Sequence, residues 1–219
     1  TISCLRWLGK KRDSTNSIVI TANTEKAKTL GFNENCIVPF PETVGGRYSI
    51  WSPISLSAAL ENNFSKFLKG GLTADRMLLG GTKIDLQYQK FIKTLAFSDL
   101  WFSNFLNKKN RVVLSYNWKL RSLQSYIQQL EMESLGKKAN PKSIFKETGQ
   151  SIFGGFGSTA QHSYFQLLHQ GTAEFCTDII YSTSPNSPLS SAQAQGQAAL
   201  LSSDFKGSAI VLEKTNSTA

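Results

Sequence analysis

The sequence predicts an α/β fold built in two halves, each containing a parallel sheet. Short β-branched runs alternate with helical stretches of about 10–15 residues, which is the pattern of βαβ units. The same order of elements begins at residues 17–21 and again at residues 111–115. A mostly helical stretch, residues 60–106, separates the halves. Hydrophobic residues make up 40% of the 219 residues, which supports a core and excludes wholesale disorder.

The first half predicts a strand, a helix and a second strand. The strands are SIVIT at residues 17–21 and CIVPF at residues 36–40. The helix over residues 25–30 is expected to end at Gly31, because glycine readily adopts the left-handed conformation that follows many helices. A loop at residues 42–47 follows the second strand.

A helix from about residue 52 opens the connection between the halves. Pro53 suits its first position, where the missing N–H leaves no hydrogen bond unmade. The helical stretch that follows is expected to present an apolar face. That face consists of Phe64, Phe67, Leu68, Phe91, Leu95, Trp101, Phe102 and Phe105.

The second half repeats the order of strand and helix. Its glycine-rich segment is interpreted as a loop between a strand and a helix, the place where ligands collect in open α/β sheets. The predicted strands are residues 111–115, 151–153 and 178–181, the predicted helices are residues 118–132, 159–169 and 190–203, and the loop is residues 154–158.

The composition argues against several classes of protein. The net charge is +9, but the basic clusters at residues 10–12, 108–111 and 137–138 lie at element ends without interleaved aromatic residues. They favour a solvated surface, with nucleic-acid binding as the lesser alternative. The three cysteines are scattered without CxxC spacing, which favours a reducing cytoplasm over a disulfide or zinc framework. No apolar run approaches the ~20 residues of a membrane helix.

A glutamate near the end of a helix is the first candidate catalytic residue. Gln129 and Glu133 are four residues apart and share a helix face, whereas Glu131 points elsewhere. Gly136 breaks the helix, so Glu133 lies near the negative end of the helix dipole. The dipole does not stabilise a carboxylate there, which suits a general base. A solvated helix-end glutamate is the alternative interpretation.

The only two histidines of the chain are the next candidates. His162 and His169 are seven residues apart, which on one helix separates them by about 10.5 Å along the axis. That separation is too large for one metal ion, so a zinc site is disfavoured. His162 is a candidate acid or base, and His169 a packing or dipole partner. A structural role is the alternative for either residue.

Arg47 directly follows two glycines, Gly45 and Gly46. Its guanidinium on such a loop can clamp a phosphate or stabilise a developing oxyanion. Glycine backbones also let N–H groups approach an anion closely. A surface arginine and ordinary tight turns are the alternative interpretations.

Three segments resemble the glucose-6-phosphate isomerase family. Residues 44–52, VGGRYSIWS, are similar to its VGGR[FY]S signature. Residues 128–137, QQLEMESLGK, resemble its QQLxMESNGK stretch. Residues 161–172, QHSYFQLLHQGT, resemble its QHAFFQLxHQGT run. The three segments occur in the family's order, and weaker similarity spans nearly the whole chain.

The resemblance implies an aldose–ketose isomerase that interconverts glucose 6-phosphate and fructose 6-phosphate in glycolysis and gluconeogenesis. Glu133 would move the proton between C2 and C1, and Arg47 would stabilise the negative charge of the cis-enediol(ate). His162 would assist opening of the sugar ring. Gln129 and the backbone of Gly46 would line the substrate. No metal or organic cofactor is implied.

The resemblance also implies an architecture and partners. Two sugar-isomerase (SIS-like) subdomains are expected, each a three-layer αβα arrangement. Residues 1–64 would form the C-terminal part of the first subdomain, and residues 111–219 would form the N-terminal part of the second. Residues 65–110 would form a helical connection between them. A cytoplasmic homodimer with shared active sites is expected, with a hexose 6-phosphate substrate and neither nucleic acid nor a membrane as partner.

The chain departs from the family pattern around the expected site. Gly155 and Phe156 replace the family's Glu-Pro pair, and Thr159 and Ala160 replace its Asn-Gly pair. Leu135 replaces the asparagine of MESNGK. These changes leave Glu133, Arg47 and His162 in place, and they put rate and affinity in question more than identity.

The ends of the chain lack two further family features. The sequence begins at Thr1 without methionine, within an apolar helical pattern over residues 1–8. A phosphate-holding SKTFTT-type loop would precede it, and a C-terminal glutamine and lysine would follow Ala219. We therefore expect a central fragment that is inactive alone. A non-catalytic sugar-phosphate-binding module, or an inactive remnant, is the alternative function.

Overall fold

A computed structural model of the chain describes residue 6 and residues 17–61, 64–183, 188–203 and 207–212. Apart from residue 6, the N-terminal pattern of residues 1–8 lies outside the described residues, as does the basic cluster at residues 10–12. The chain divides into two compact units, Thr1–Gly71 and Leu72–Ala219. Each unit is described separately below.

The first unit contains a small parallel sheet. Strand β1 (Val19–Thr21) pairs in parallel with strand β2 (Ile37–Pro39), and helix α1 (Thr24–Thr29) connects them. Asn23 caps the helix by accepting a 2.9 Å hydrogen bond from the Lys26 N–H. Gly31 follows the helix with φ 86°, so the predicted glycine terminus is confirmed. All three predicted elements are confirmed, and both strands are shorter than expected.

Short 3₁₀ helices and three α-helices follow. The 3₁₀ helices are Gly46–Trp51 and Pro53–Ser55, and Pro53 begins its helix as predicted. Helices α2 (Leu56–Glu61), α3 (Phe64–Leu79) and α4 (Lys83–Asn104) confirm the predicted helical stretch. Five residues of its predicted apolar face are 40–57% exposed, namely Phe67, Leu68, Phe91, Trp101 and Phe105.

The second unit is built on a four-stranded, fully parallel sheet with the order β4-β3-β5-β6. Strand β3 (Asn110–Ser115) lies between β4 (Ser151–Phe156) and β5 (Phe175–Ser182), and β6 (Gly207–Leu212) pairs with β5. Helix α5 (Leu123–Leu135) connects β3 to β4, and helix α8 (Pro188–Ser203) connects β5 to β6. The predicted parallel sheet of this half is confirmed.

Helices cover both faces of this sheet. On one face, Val113, Ile152 and Ile180 form a core with the helix-side residues Leu123 and Ile127. On the other face of the sheet, every second residue of β3 and β5 packs against helices α6 (Gly157–Ala160), α7 (Phe165–Gln170) and α8. That second core contains Val112, Leu114, Tyr116, Ala160, Phe165, Leu168, Phe175, Ile179, Tyr181, Ala194 and Leu201. The second unit therefore has the predicted three-layer αβα arrangement.

The predicted glycine-rich loop at residues 154–158 is wrong for most of its length. Gly154, Gly155 and Phe156 belong to β4, where Gly154 pairs with Val113 of β3. Gly157 then begins α6 without an intervening loop. A Cβ on Gly154 would overlap the carbonyl oxygen of Val113, so the glycine serves close approach of two strands and not a turn.

The predicted single helix over residues 159–169 is also wrong. The chain forms α6 and α7, and a turn over residues 161–164 separates them. Ala160 and Phe165 are buried on either side of this turn, so tertiary packing breaks the helical pattern. Strand β6 was not predicted from the sequence.

Candidate active site

The carboxyl ends of β3 and β4 mark the region that the sequence indicated. Residue 116 follows β3 directly, and α6 begins as soon as β4 ends at Phe156. In parallel sheets, ligands bind outside this edge, where the strands pass into helix N-termini. Of the expected site residues in this second unit, His162 follows the carboxyl end of β4. Gln129 and Glu133 lie in the last turns of the helix that joins β3 to β4, whose neighbouring residues contact Arg111 and Ile152 near the amino ends of those strands.

Gln129 and Glu133 lie together on one exposed face of α5. The Gln129 Nε2 donates a 3.4 Å hydrogen bond to Glu133 Oε2, as their spacing of four residues indicated. The helix ends at Gly136, whose N–H donates to the Met132 carbonyl oxygen at 2.9 Å. Lys137 Nζ donates to the carbonyl oxygens of Glu133 and Ser134 at 2.9 and 2.8 Å. This lysine satisfies carbonyl groups that a helix end leaves open.

The opposite face of α5 is anchored to the sheet. Gln128 Nε2 donates to the Ile152 carbonyl oxygen at 2.5 Å, and the Ile152 N–H lies 3.4 Å from Met132 Sδ. Arg111 Nη1 lies 3.0 and 2.9 Å from the two carboxylate oxygens of Glu131. Glu131 therefore points away from Glu133, as predicted, and the anchored face directs Gln129 and Glu133 outward.

His162 lies in the turn between α6 and α7, with an exposed side chain. Its N–H donates to the Thr159 carbonyl oxygen at 3.1 Å. Because the turn interrupts the helix, the expectation that His162 and His169 lie on one helix is wrong. His169 lies in the last turn of α7, where its Nε2 is 3.0 Å from Gln197 Oε1 and its ring contacts Phe165. The packing interpretation fits His169.

Arg47 and Gly46 lie in the first unit, at the start of the 3₁₀ helix Gly46–Trp51. The loop predicted at residues 42–47 therefore ends at Gly45, because Gly46 and Arg47 belong to the 3₁₀ helix. Its guanidinium carbon lies 5.0 Å from the centre of the Tyr48 ring. A Cβ on Gly46 would meet no atom within 4 Å, so the backbone of Gly46 is open to close approach.

A buried arginine and its carboxylates were missed by the sequence analysis. Arg111 Nη2 lies 2.5 Å from Asp178 Oδ2, and Arg111 Nη1 lies 3.2 Å from Asp99 Oδ2. The pKa of Asp99 is raised from 3.8 to about 6, first by burial and also by the charges of Glu131 and Asp178, against the attraction of Arg111. The sequence did contain a signal for this cluster, because Arg111 directly precedes the apolar residues of a predicted strand. A charged side chain that is buried with such a strand requires charged or hydrogen-bonding partners.

Two tyrosines were also missed, Tyr116 beside the His162 turn and Tyr164 within it. The Tyr116 hydroxyl accepts a 3.1 Å hydrogen bond from Gln161 Nε2, and burial raises the pKa of Tyr116. Burial raises the pKa of Tyr164 to about 12. Within the part of the chain that the structure describes, the buried Tyr164 hydroxyl makes no hydrogen bond. The resemblance offered a signal for Tyr164, since the family run has phenylalanine there.

The described residues contain neither a candidate metal-binding cluster nor a helix that could span a membrane. No group of three or more histidine, cysteine, aspartate or glutamate side chains is placed to hold a metal ion there. None of the described helices has the length and apolarity required to cross a bilayer. Cys36 and Cys176 are buried and neither is in a disulfide, and burial raises the pKa of Cys176 to about 11. Cys4 lies outside the described residues.

Comparison with known proteins identifies close sequence relatives. The chain is 36% identical over 199 residues to glucose-6-phosphate isomerase of Shewanella oneidensis, a match that covers 86% of this chain and 36% of the relative. It is 38% identical over 177 residues to glucose-6-phosphate isomerase of Shewanella pealeana, covering 78% of this chain and 32% of the relative. The chain thus spans about a third of the length of these relatives.

Solved structures share the fold. A hypothetical protein from Thermus thermophilus superposes with a TM-score of 0.74 at 20% identity, covering 98% of this chain and 56% of that one. A glucose-6-phosphate isomerase from Chlamydia trachomatis superposes with a TM-score of 0.66 at 22% identity, covering 85% and 38%. These likenesses confirm the predicted fold class. The family model of phosphoglucose isomerase matches residues 3–218. The chain belongs to the phosphoglucose isomerase family.

Proposed function

We propose that the protein containing this chain is an aldose–ketose isomerase that interconverts glucose 6-phosphate and fructose 6-phosphate. The observation that carries the proposal is the Gln129–Glu133 pair on the exposed face of α5. The pair lies within the region matched by the family model, and the relatives are named glucose-6-phosphate isomerase. Because the chain spans 36% of such a relative, the activity is tested on the whole protein that contains it.

In the proposed reaction, Glu133 is the general base. Its carboxylate takes the proton from C2 of the open-chain aldose, the electron pair forms the C1=C2 double bond, and the carbonyl oxygen at C1 takes up negative charge or a proton. The same carboxyl then returns a proton to C1 while the C2 hydroxyl loses its proton and becomes the ketone. A positioned base of this kind contributes roughly 10²–10⁴-fold to a rate.

The remaining site residues support this transfer. Arg47 stabilises the negative charge of the enediolate, where a fixed cation is most effective because the charge develops during the reaction. His162 assists opening of the sugar ring by proton transfer from its exposed position. Gln129, which donates to Glu133, and the open backbone of Gly46 line the hexose 6-phosphate.

We also propose the organisation of the whole protein. Residues 1–64 and 111–219 belong to two SIS-like subdomains connected through residues 65–110. The protein is a homodimer whose subunits share active sites, and the exposed apolar side chains of α4 support a subunit contact there. Cys36 and Cys176 are not in disulfides, which supports a cytoplasmic location.

Replacement of the proposed base tests the function directly. In the whole protein, Glu133→Gln is expected to lower the turnover of fructose 6-phosphate by about a thousandfold, because the amide cannot accept the proton. A coupled assay for glucose 6-phosphate measures the rate, and circular dichroism checks the fold.

Glu25→Gln is the matched control, since Glu25 is an exposed helix glutamate in α1. It should keep wild-type turnover. Near wild-type activity of the Glu133→Gln protein would show that another group is the base. A wild-type protein that binds fructose 6-phosphate in a calorimetric titration without turning it over would be a non-catalytic binder.

A further inference from the structure

The side chain of Tyr116 is buried at the carboxyl end of β3 and has no part in the proposed chemistry. It is 2% exposed. Its N–H donates to the Ile180 carbonyl oxygen of β5 at 2.8 Å, which continues the pairing of β3 and β5 by one residue. The backbone of Tyr116 is therefore fixed by the central strands of the sheet.

The Tyr116 ring meets the segment that carries His162. It packs against Gly157, the first residue of α6, so closely that a Cβ on Gly157 would overlap the ring. The hydroxyl then accepts the 3.1 Å hydrogen bond from Gln161 Nε2. His162 is the next residue along the chain, so a continuous set of contacts runs from the sheet to the backbone beside the histidine.

The His162 turn requires such contacts to keep one orientation. Helices α6 and α7 have four and six residues, and helices this short are not stable by themselves. Ala160 and Phe165 are buried and fix the two ends of the turn. The Gln161–Tyr116 hydrogen bond ties the first residue of the turn to the sheet, directly beside His162.

We propose that Tyr116 is a positioning residue that holds the His162 turn in its active orientation through Gln161. This inference rests on the proposed isomerase function of His162 in ring opening. Tyr116 touches neither substrate nor reacting atoms. It acts on the rate because a displaced acid or base loses its alignment with the sugar, and a displacement of about 1 Å can cost up to 10²-fold in rate.

Two variants that each remove one buried phenolic hydroxyl test the proposal. Tyr116→Phe keeps the ring that packs on Gly157 and removes the acceptor for Gln161. Tyr164→Phe is the matched control, because Tyr164 belongs to the same turn and its buried hydroxyl bonds to no described residue. Thermal unfolding of both variants checks that the whole protein remains folded.

Hydrogen–deuterium exchange measured by mass spectrometry reports how often the hydrogen bonds of the turn open, independently of enzyme activity. The turn contains the N–H groups of His162 and Tyr164, which bond to Thr159 and Ala160 at 3.1 and 3.2 Å. In Tyr116→Phe, the peptide over residues 157–164 should exchange about fivefold faster, because the tie to the sheet is lost. Tyr164→Phe should exchange at the wild-type rate. Equal exchange in Tyr116→Phe and wild type would overturn the proposal.

Kinetics in two backgrounds separate positioning from a general structural effect. Tyr116→Phe is expected to lower kcat for glucose 6-phosphate about tenfold with little change in KM, whereas Tyr164→Phe keeps the wild-type kcat. In a His162→Ala background, Tyr116→Phe should cause no further loss, because its effect passes through His162. The same tenfold loss in both backgrounds would overturn the proposal.

If wild-type protein shows no isomerase turnover, the proposed function is wrong. The hydrogen–deuterium exchange comparison alone then decides whether Tyr116 orients the turn.

Discussion

Arg111 is a buried cation that faces three carboxylates. Its guanidinium contacts Asp178, Glu131 and Asp99 at 2.5, 2.9 and 3.2 Å. Of the three carboxylates, that of Asp99 lies farthest from the guanidinium. Its pKa is raised to about 6, mainly by burial. An excess of negative charge is therefore enclosed at this position near neutral pH.

Neutralising Asp99 should make the stability of the protein less dependent on pH. A carboxyl whose pKa is raised by folding favours the folded state while protonated, so its contribution falls as pH rises from about 4 to about 6. Asp99→Asn lacks this fall. We expect its free energy of unfolding, relative to wild type, to increase between pH 4 and pH 7 in urea titrations.

Asp75→Asn is the control for this comparison, since Asp75 is an exposed aspartate of α3. The same titrations of this variant measure what the loss of an exposed carboxylate does at each pH. If the Asp99→Asn protein is less stable than wild type by the same amount at every pH, the ionised carboxylate is a net stabilising partner of Arg111 and the prediction is wrong.

At the residue scale, local spacing was the informative part of the sequence. The four-residue spacing of Gln129 and Glu133 predicted their contact because a helix brings such positions together. Arg111 and Asp178 are 67 residues apart, and only the pairing of β3 with β5 brings them together. No local pattern contains that information.

At the element scale, β4 contains a glycine that the sheet requires. Gly154 adopts φ 154° beside Val113, and no side chain fits between the two backbones. Gly196 lies inside helix α8, where a Cβ would meet no atom within 4 Å. A side chain is therefore excluded at Gly154 but can be accommodated at Gly196.

Alanine substitution at these two glycines should change stability in opposite directions. Gly154→Ala is expected to lower the free energy of unfolding by about 2–4 kcal/mol, because β3 and β4 must separate. Gly196→Ala is expected to raise it by about 0.5–1 kcal/mol, because alanine is the better helix former. Urea unfolding measures both changes. A Gly154→Ala protein as stable as wild type would mean that β4 pairs with β3 less closely than described here.

The elements that the sequence predicted are those with a strong local pattern. β-Branched runs predicted β1, β3 and part of β5, and helical periodicity predicted α4, α5 and α8. Residues 154–156 were mistaken for a loop because glycine is typical of turns, whereas here it permits strand contact. The turn at residues 161–164 contains neither glycine nor proline, so only burial of its flanking residues explains it.

At the scale of the whole molecule, α4 presents a row of large apolar side chains to solvent. Phe97 and Trp101 are 70% and 54% exposed and lie four residues apart on one helix face. Trp101 stacks on Phe105, with ring centres 4.8 Å apart, which extends the row. Contiguous exposed apolar surface of this kind marks a contact with another protein surface.

This surface should make the 219-residue chain associate with itself. In sedimentation velocity, the weight-average mass is expected to rise with concentration, and Phe97→Ser should weaken that rise. Leu189→Ser is the control, because Leu189 is exposed on α8 and single exposed apolar residues are ordinary. A constant monomer mass for the wild-type chain at all concentrations would contradict a subunit contact through α4.

The division of helix α5 into an anchored face and an outward face has a consequence for evolution. Gln128, Glu131 and Met132 attach the helix to the sheet, whereas Gln129 and Glu133 bond to each other on the outward side. Natural selection can therefore change the outward pair without unfolding the protein. A lineage that loses the ancestral reaction would keep an intact scaffold, on which a new activity could arise by substitution at two positions.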